Sequence, residues 1–135
     1  MLTQDLQKKL IQKAQSLHEG KILHLSFILD GNRIICYGRN YRNKTHPASP
    51  SKYRTTHSEL HAILMYPIKD ECKRYHIKNF YELSRKLTLV NVRLMADGSL
   101  GISKPCKYCQ KLLNELQFSK VYYTTKEGFT TDACQ

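Results

Sequence analysis

Two short motifs far apart in this chain must meet in space, and that requirement constrains the fold more than any other feature. His57-Ser58-Glu59 is followed 49 positions later by Cys106, which opens Cys106-Lys107-Tyr108-Cys109 directly after Pro105. One imidazole and two thiolates are three ligands of the kind a tetrahedral zinc takes. The fourth position stays open to water, as a catalytic site needs and a structural site avoids. Glu59 stands two residues after the histidine, where a carboxylate can handle that water's proton. Nothing local closes the gap between the motifs, so the fold must do it.

Both motifs fall at predicted helix starts, where the positive end of the helix dipole favours thiolate over thiol at Cys106 and Cys109. The chain begins with a helix: Thr3 can cap it, Leu6, Leu10, Ala14 and Leu17 recur at helical spacing, and Gly20 can end it. Residues 22–29 (ILHLSFIL) alternate as a strand, with Leu23, Leu25, Phe27 and Leu29 on one face and His24 and Ser26 on the other. Asp30-Gly31 predicts a hairpin, and 33–38 (RIICYG) the returning strand. Loop character then runs to Thr56. Residues 57–66 suit a short helix with Leu60, Ile63 and Leu64 inward, stopped by Pro67. A helix is expected over about 78–86, a strand over 87–95, a turn at Asp97-Gly98, a helix from Cys106 carrying Leu112, Leu113 and Leu116, and a strand over 120–125.

A helix between consecutive strands implies a crossover, whereas the first two strands form an antiparallel hairpin. The expected fold class is therefore α/β, a three-layer α-β-α sandwich around a mixed sheet of four to five strands. Only ten residues follow Thr125, so a fifth strand must be short. Residues 1–135 read as one domain, with an inserted segment near 67–86.

The combination of H-x-E and P-C-x-x-C, in this order, resembles the signature of zinc-dependent nucleobase deaminases. On these motifs the chain is identified as similar to the cytidine/deoxycytidylate deaminase superfamily. The resemblance implies a cytidine deaminase-like fold and bound Zn2+ on His57, Cys106 and Cys109. It gives Glu59 the proton transfers that replace a ring amine by oxygen and release ammonia. Asn40, in Gly38-Arg39-Asn40, resembles an asparagine that holds the substrate sugar; read locally, it is equally a turn residue. Ser103 resembles a pocket-lining position whose backbone meets the base. Relatives are often dimers or tetramers that complete one another's pockets, which implies a homo-oligomer. Residues 67–86 look like additional material.

Three other patterns compete with this reading. His57 and His61 lie four apart, as in metalloprotease helices, but those need glutamate directly after the first histidine, where this chain has Ser58. His61 is therefore read as a packed or hydrogen-bonded helix residue. A lone C-x-x-C could be a redox pair or half of a zinc knuckle, yet no second C-x-x-C completes a four-cysteine site, and Cys36, Cys72 and Cys134 are isolated. A non-catalytic basic zinc module binding nucleic acid stays open, with Glu59 arguing against it.

Charge bears on the substrate. Lys and Arg number 22 against 11 acids, a formal charge of +11, which favours anionic partners. No acid lies between Gly31 and Ser58, while Arg33, Arg39, Arg42, Lys44, Lys52 and Arg54 do, with Tyr41 and Tyr53. A phosphorylated small-molecule substrate, a (deoxy)cytidine nucleotide or nucleoside, is the preferred reading. Single-stranded DNA or RNA, with cytosine or tRNA adenosine as target, is the alternative, since tyrosines can stack on bases and cations can follow a backbone. The asparagine–glutamate motif typical of the free-nucleoside enzymes is not found. No run approaches the roughly 20 apolar residues of a membrane helix, and Asp5, Lys8, Lys9 and Lys13 interrupt the N-terminal apolar positions. An intracellular, cytoplasmic protein is expected.

Overall fold

The computed structural model describes residues 2–42 and 55–132. Helix α1 (Gln4–Leu17) starts where the Leu6 N–H donates to Thr3 Oγ1 at 3.2 Å, and it buries Leu6, Leu10 and Ala14. It stops at Leu17, short of Gly20, because His18 is already extended; Gly20, at φ 78°, turns the chain toward the sheet instead. Strands β1 (Leu23–Asp30) and β2 (Arg33–Arg39) form the predicted hairpin, with Asp30 opposite Arg33. Gly31 takes the positive φ, 60°, that a two-residue hairpin turn requires.

Two-residue strands β3 (Tyr41–Arg42) and β4 (Thr55–Thr56) pair antiparallel and lead into α2 (Ser58–Met65). Helices α3 (Ile68–Tyr75) and α4 (Phe80–Ser84) follow, then β5 (Thr88–Leu94), β6 (Leu100–Gly101), α5 (Lys107–Glu115), β7 (Lys120–Thr125) and β8 (Gly128–Thr130). The main sheet has the order β2-β1-β5-β7-β8, and β6 adds a short sixth strand on β5. Among the described residues only β5 and β7, joined through α5, pair in parallel; β5 pairs with β1 antiparallel. β8 is the short fifth strand that the sequence left room for. The sheet is mixed and has helices on both faces, as the sequence pattern predicts.

Strand alternation divides the core in two. Leu25, Phe27 and Leu29 of β1 and Val90, Val92 and Leu94 of β5 face α1. Ile28 and Leu89 face the other way, against Ala62 and Tyr66 at the α2 side, Leu83 and Leu113. α2 lies so close to β2 that a Cβ on Gly38 would stand 2.2 Å from the Ala62 backbone nitrogen. Gly38 has no positive φ, so glycine is needed there for space rather than for conformation. This seating turns Ser58, Glu59, Leu60 and Ala62 inward and corrects one expectation: Leu64 points outward and is 48% exposed.

The segment 67–86 forms two short helices where one, over 78–86, was expected. Pro67 ends α2 and is also the N-cap of α3. α3 hides from periodicity because KDECKR is nearly all polar; Cys72 and Tyr75 supply its packing on the second core. His76, at φ 54°, closes α3 in the left-handed conformation. Tyr66 meets Phe80 edge-on at 5.2 Å, and Phe80 meets Phe118 at 6.1 Å. Each such aromatic pair contributes about 0.5–1.5 kcal/mol beyond burial, so the segment is fastened to the ends of α2 and α5. Among the described residues, no helix is long and apolar enough to cross a membrane.

Candidate metal and proton-transfer site

His57 is the N-cap of α2 and Cys106 the N-cap of α5, so the two helices point their starts at one place. The Cys109 N–H donates to Cys106 Sγ at 3.4 Å, which holds both sulfurs on one side of the first turn. His57 Nδ1 lies 3.3 Å from Cys109 Sγ and 3.6 Å from Cys106 Sγ. The three ligand atoms all fall within 4.8 Å of one another. A tetrahedral zinc with metal–sulfur and metal–nitrogen bonds of about 2.3 and 2.05 Å would separate nitrogen from sulfur by about 3.6 Å. The donor set and its spacing fit such an ion. Burial pushes the Cys109 thiol well up, and Glu59 adds to that push, so a thiolate there calls for a cation to offset it.

Glu59 is 2% exposed in the first turn of α2. The Ser58 hydroxyl donates to its Oε1 at 3.1 Å, and Asn91 Nδ2 donates to its Oε2 at 3.0 Å. Asn91 also donates to the Ser103 carbonyl at 3.0 Å, while its Oδ1 accepts from Ser26 Oγ at 2.5 Å. The Ser26 and Ser58 hydroxyls also lie 2.7 Å apart, so their two protons are shared among this contact, Asn91 Oδ1 and Glu59 Oε1. The carboxylate is thus held between α2 and the centres of β1 and β5, beside the Cys109 sulfur. A buried network satisfied in this way fixes one rotamer of the acid.

Asn40 Oδ1 accepts the Ser58 N–H at 2.5 Å, and the Asn40 N–H donates to the His24 carbonyl at 3.4 Å. The structure therefore brings Asn40 to the start of α2, next to Glu59. Ser103 is 1% exposed; its hydroxyl donates to the Asn91 carbonyl and its N–H to the Thr124 carbonyl, both at 3.0 Å. Its carbonyl orients Asn91. His61 accepts the Arg39 N–H on Nδ1 at 2.9 Å, the hydrogen-bonded helix role expected of it, and burial lowers its pKa.

The basic segment divides. Arg33 is at the hairpin end of the sheet, where it pairs with Glu71 at 2.8 Å and with Asp30 at 3.4 Å. It ties α3 to the sheet at the end away from Asn40 and the start of α2, which corrects its place in the expected basic rim. Arg39 is at the opposite end of β2 and lines a cavity of about 510 Å³ together with Asn40 and His24. Lys44, Lys52, Tyr53, Arg54 and Cys134 lie outside the described residues, as do the side chains of Tyr41 and Arg42.

No protein-family model matches the sequence, and neither does any curated protein. Solved structures do. The crystal structure of a dCMP deaminase from the cyanophage S-TIM5, in apo form, aligns with 91% of this chain and 85% of its own at TM-score 0.53 and 15% identity. The chain has the cytidine deaminase-like fold. A cytidine deaminase from Mycobacterium leprae aligns with 97% of this chain and 94% of its own, at TM-score 0.48 and 15% identity.

Sequence reasoning missed Ser58, Asn91, Arg93 and Thr124. One signal was available: Asn91 and Arg93 interrupt the apolar run LVNVRLM of residues 89–95, on the same face as each other. A polar side chain at a central-strand position is buried and must find partners. His24 and Ser26 carried the same signal on β1. Which partners they find depends on strand register, with His24 opposite Arg93 and Ser26 opposite Asn91.

Proposed function

We propose that this chain is a zinc-dependent hydrolytic deaminase that converts a cytosine-type base of a nucleotide or nucleoside to its oxo form. The observation that carries the reading is a buried carboxylate, Glu59, fixed by two donors beside a His/Cys/Cys ligand group. A purely structural metal site gains nothing from burying an acid there, and burying a charge costs free energy. The fold of a known dCMP deaminase agrees with the reading.

His57, Cys106 and Cys109 would hold the zinc, which when bound would supply an activated water as the nucleophile. Glu59 accepts the proton and delivers it to the ring nitrogen, which makes the amine-bearing carbon electrophilic. Once the water's oxygen has added to that carbon, Glu59 takes its remaining proton and passes it to the amine, which leaves as ammonia as the C–N bond breaks and the C=O bond forms. Ser58 and Asn91 hold the carboxylate in one orientation through both transfers. Asn40, fixed by the start of α2, offers its amide to the sugar, and Ser103 acts through Asn91. General acid–base help of this kind is worth about 10²–10⁴-fold.

The test is ammonia release from zinc-loaded protein given cytidine, deoxycytidine, their 5′-monophosphates, and single-stranded DNA and RNA. Release from the mononucleotides or nucleosides upholds the reading. The charge of +11 favours a second reading, a deaminase of single strands. Release from strands alone would replace the first reading by that one. Tight strand binding with no ammonia from any substrate would leave a non-catalytic nucleic-acid module.

A further inference from the structure

The strand that leads to Cys106 enters the sheet through a fork, and one hydroxyl holds that fork together. β5 and β7 pair in parallel from Thr88 opposite Lys120 to Asn91 opposite Tyr123, and then part. β1 covers the other edge of β5 as far as Leu94, so β6, which pairs with Arg93 and Leu94, lies on the edge that β7 has left. Thr124 is the first residue of β7 beyond the last pair. Its Oγ1 accepts the Arg93 N–H of β5 at 3.1 Å and donates to the Gly101 carbonyl of β6 at 2.8 Å. Ser103 fills the rest of the gap: its Oγ donates to the Asn91 carbonyl at 3.0 Å and accepts the Thr124 N–H at 2.7 Å. The two hydroxyls lie 2.9 Å apart, so their protons are shared among this contact, the Gly101 carbonyl and the Asn91 carbonyl. Side-chain oxygens thus replace the ladder bonds that the parting strands give up.

The fork reaches both halves of the candidate site. Thr124, Ser103 and Asn91 are all buried. The Ser103 carbonyl accepts Asn91 Nδ2, which also donates to Glu59 Oε2, both at 3.0 Å. In the other direction, only Lys104 and Pro105 separate Ser103 from Cys106. The Pro105 ring fixes one torsion of that span, and the Pro105 carbonyl accepts Gln110 Nε2 of α5 at 2.7 Å. A short span tied at both ends in a packed interior passes on a displacement instead of absorbing it.

We propose that Thr124 is a positioning residue for the reaction. Its hydroxyl sets how deep residues 101–105 lie between β5 and β7. That depth places the Cys106 sulfur and, through the Ser103 carbonyl and Asn91, the Glu59 carboxylate. One contact thereby places a metal ligand and the acid together. The role toward Glu59 in turnover rests on the deaminase reading, whereas the role toward Cys106 does not. The residue type follows from the task. One side chain must satisfy an N–H donor and a C=O acceptor, which a hydroxyl does and a methyl does not. A β-branched residue also has few rotamers, which keeps the oxygen aimed at the fork.

Thr124→Val, of the same shape without the hydroxyl, and Thr124→Ser, which keeps it, test this. Zinc affinity is measured by titration against a competing chelator. Visible absorption of the cobalt-substituted proteins reports tetrahedral geometry at the ligands. Turnover is followed as ammonia release from cytidine, deoxycytidine and their 5′-monophosphates. Thr124→Val should weaken zinc binding about 10-fold and lower the cobalt absorption, as loss of a contact behind a ligand does. It should lower kcat about 10–100-fold and leave KM within about twofold, since the misplaced groups act on the reacting atoms rather than on binding. Thr124→Ser should restore most of both. Thr125→Val is the control. It removes the next hydroxyl along β7, bonded to the Gly128 carbonyl at 3.3 Å, and should leave zinc affinity and kcat unchanged. Wild-type zinc affinity and kcat in folded Thr124→Val, whatever its stability, would overturn the inference, as would a Thr124→Ser protein no better than Thr124→Val. Should Thr124→Val fail to fold, Ser103→Ala opens the same fork at the Asn91 carbonyl and the Thr124 N–H. Weaker zinc binding in that variant upholds the inference, and unchanged binding overturns it. If every protein binds zinc but none releases ammonia, a zinc loss in Thr124→Val that Thr124→Ser restores upholds the placement of Cys106 while the deaminase reading falls.

Discussion

Replacing Gly38 by alanine should disable the metal site from a residue that touches none of the ligands. The added methyl would stand 2.2 Å from the Ala62 nitrogen, 2.7 Å from the His61 carbonyl carbon and 2.8 Å from the Ala62 Cα. All three are backbone atoms of α2, so no side chain can rotate away. Ordinary contact begins at 3.4 Å, so the helix must retreat by about 1 Å. His57 caps that helix, and its nitrogen is 3.3 and 3.6 Å from the sulfurs on α5. A shift of that size takes it out of tetrahedral reach and stretches the 2.9 Å bond from Arg39 to His61. Overpacking costs about 1–3 kcal/mol and a weakened hydrogen bond about 1 kcal/mol, so the expected loss is about 2–4 kcal/mol. Zinc affinity should fall by about 10–100-fold, as when a ligand's supporting contacts are lost. Urea denaturation and a competitive titration against a chromophoric chelator measure the two effects. Gly31→Ala is the control: at φ 60° with nothing within 4 Å, it should cost about 1 kcal/mol and leave zinc affinity unchanged. If Gly38→Ala matched that control in zinc affinity, or if Ala62→Gly rescued it, the close-approach argument would be wrong.

Other substitutions probe the site and its frame. Glu59→Gln should keep zinc, measured by metal analysis, and lower ammonia release by at least about 10²-fold; wild-type turnover would refute the proton path. Asn91→Leu strands Glu59 Oε2 and the Ser103 carbonyl and should cost about 2–4 kcal/mol in urea, with a smaller cost in a Glu59→Leu background. Arg33→Met leaves the 5%-exposed Glu71 with Arg74, 4.0 Å away, as its remaining ion partner and should destabilise by about 1–3 kcal/mol, without changing zinc affinity. Burial pushes the Cys36 thiol up from 9.0 to about 12, so it should resist alkylation near pH 8 until the protein unfolds. Since its folded value is raised, the stability linked to Cys36 is present below pH 9.0 and is lost as pH climbs toward about 12.

Strand and helix identity was legible where side chains repeat with a clear period. β1 alternates apart from Ile28, and α1 carries leucines and an alanine on one stripe, so both emerge close to their expected bounds. α3 was not legible because its stripe is one cysteine and one tyrosine among charges. Leu64 was misplaced because an apolar helix offers several inward faces, and the tight seating on Gly38 selects the one through Ala62. Arg33 was grouped with the cavity arginines by sequence proximity. In the fold, a seven-residue strand puts it at the opposite end of β2 from Arg39.

The sequence alone determined the candidate ligand set, the acid two residues after His57 and the alternation of helices and strands that joins them. Those are properties of residue type and local period, which a chain carries before it folds. Tertiary structure decided what the acid is held by and what lies next to it. Ser58, Asn91 and Ser26 meet around Glu59 only because β1 and β5 pair in one register. The same register sets His24 against Arg93 beside the cavity, and a slip of one residue would turn all of them to the opposite face.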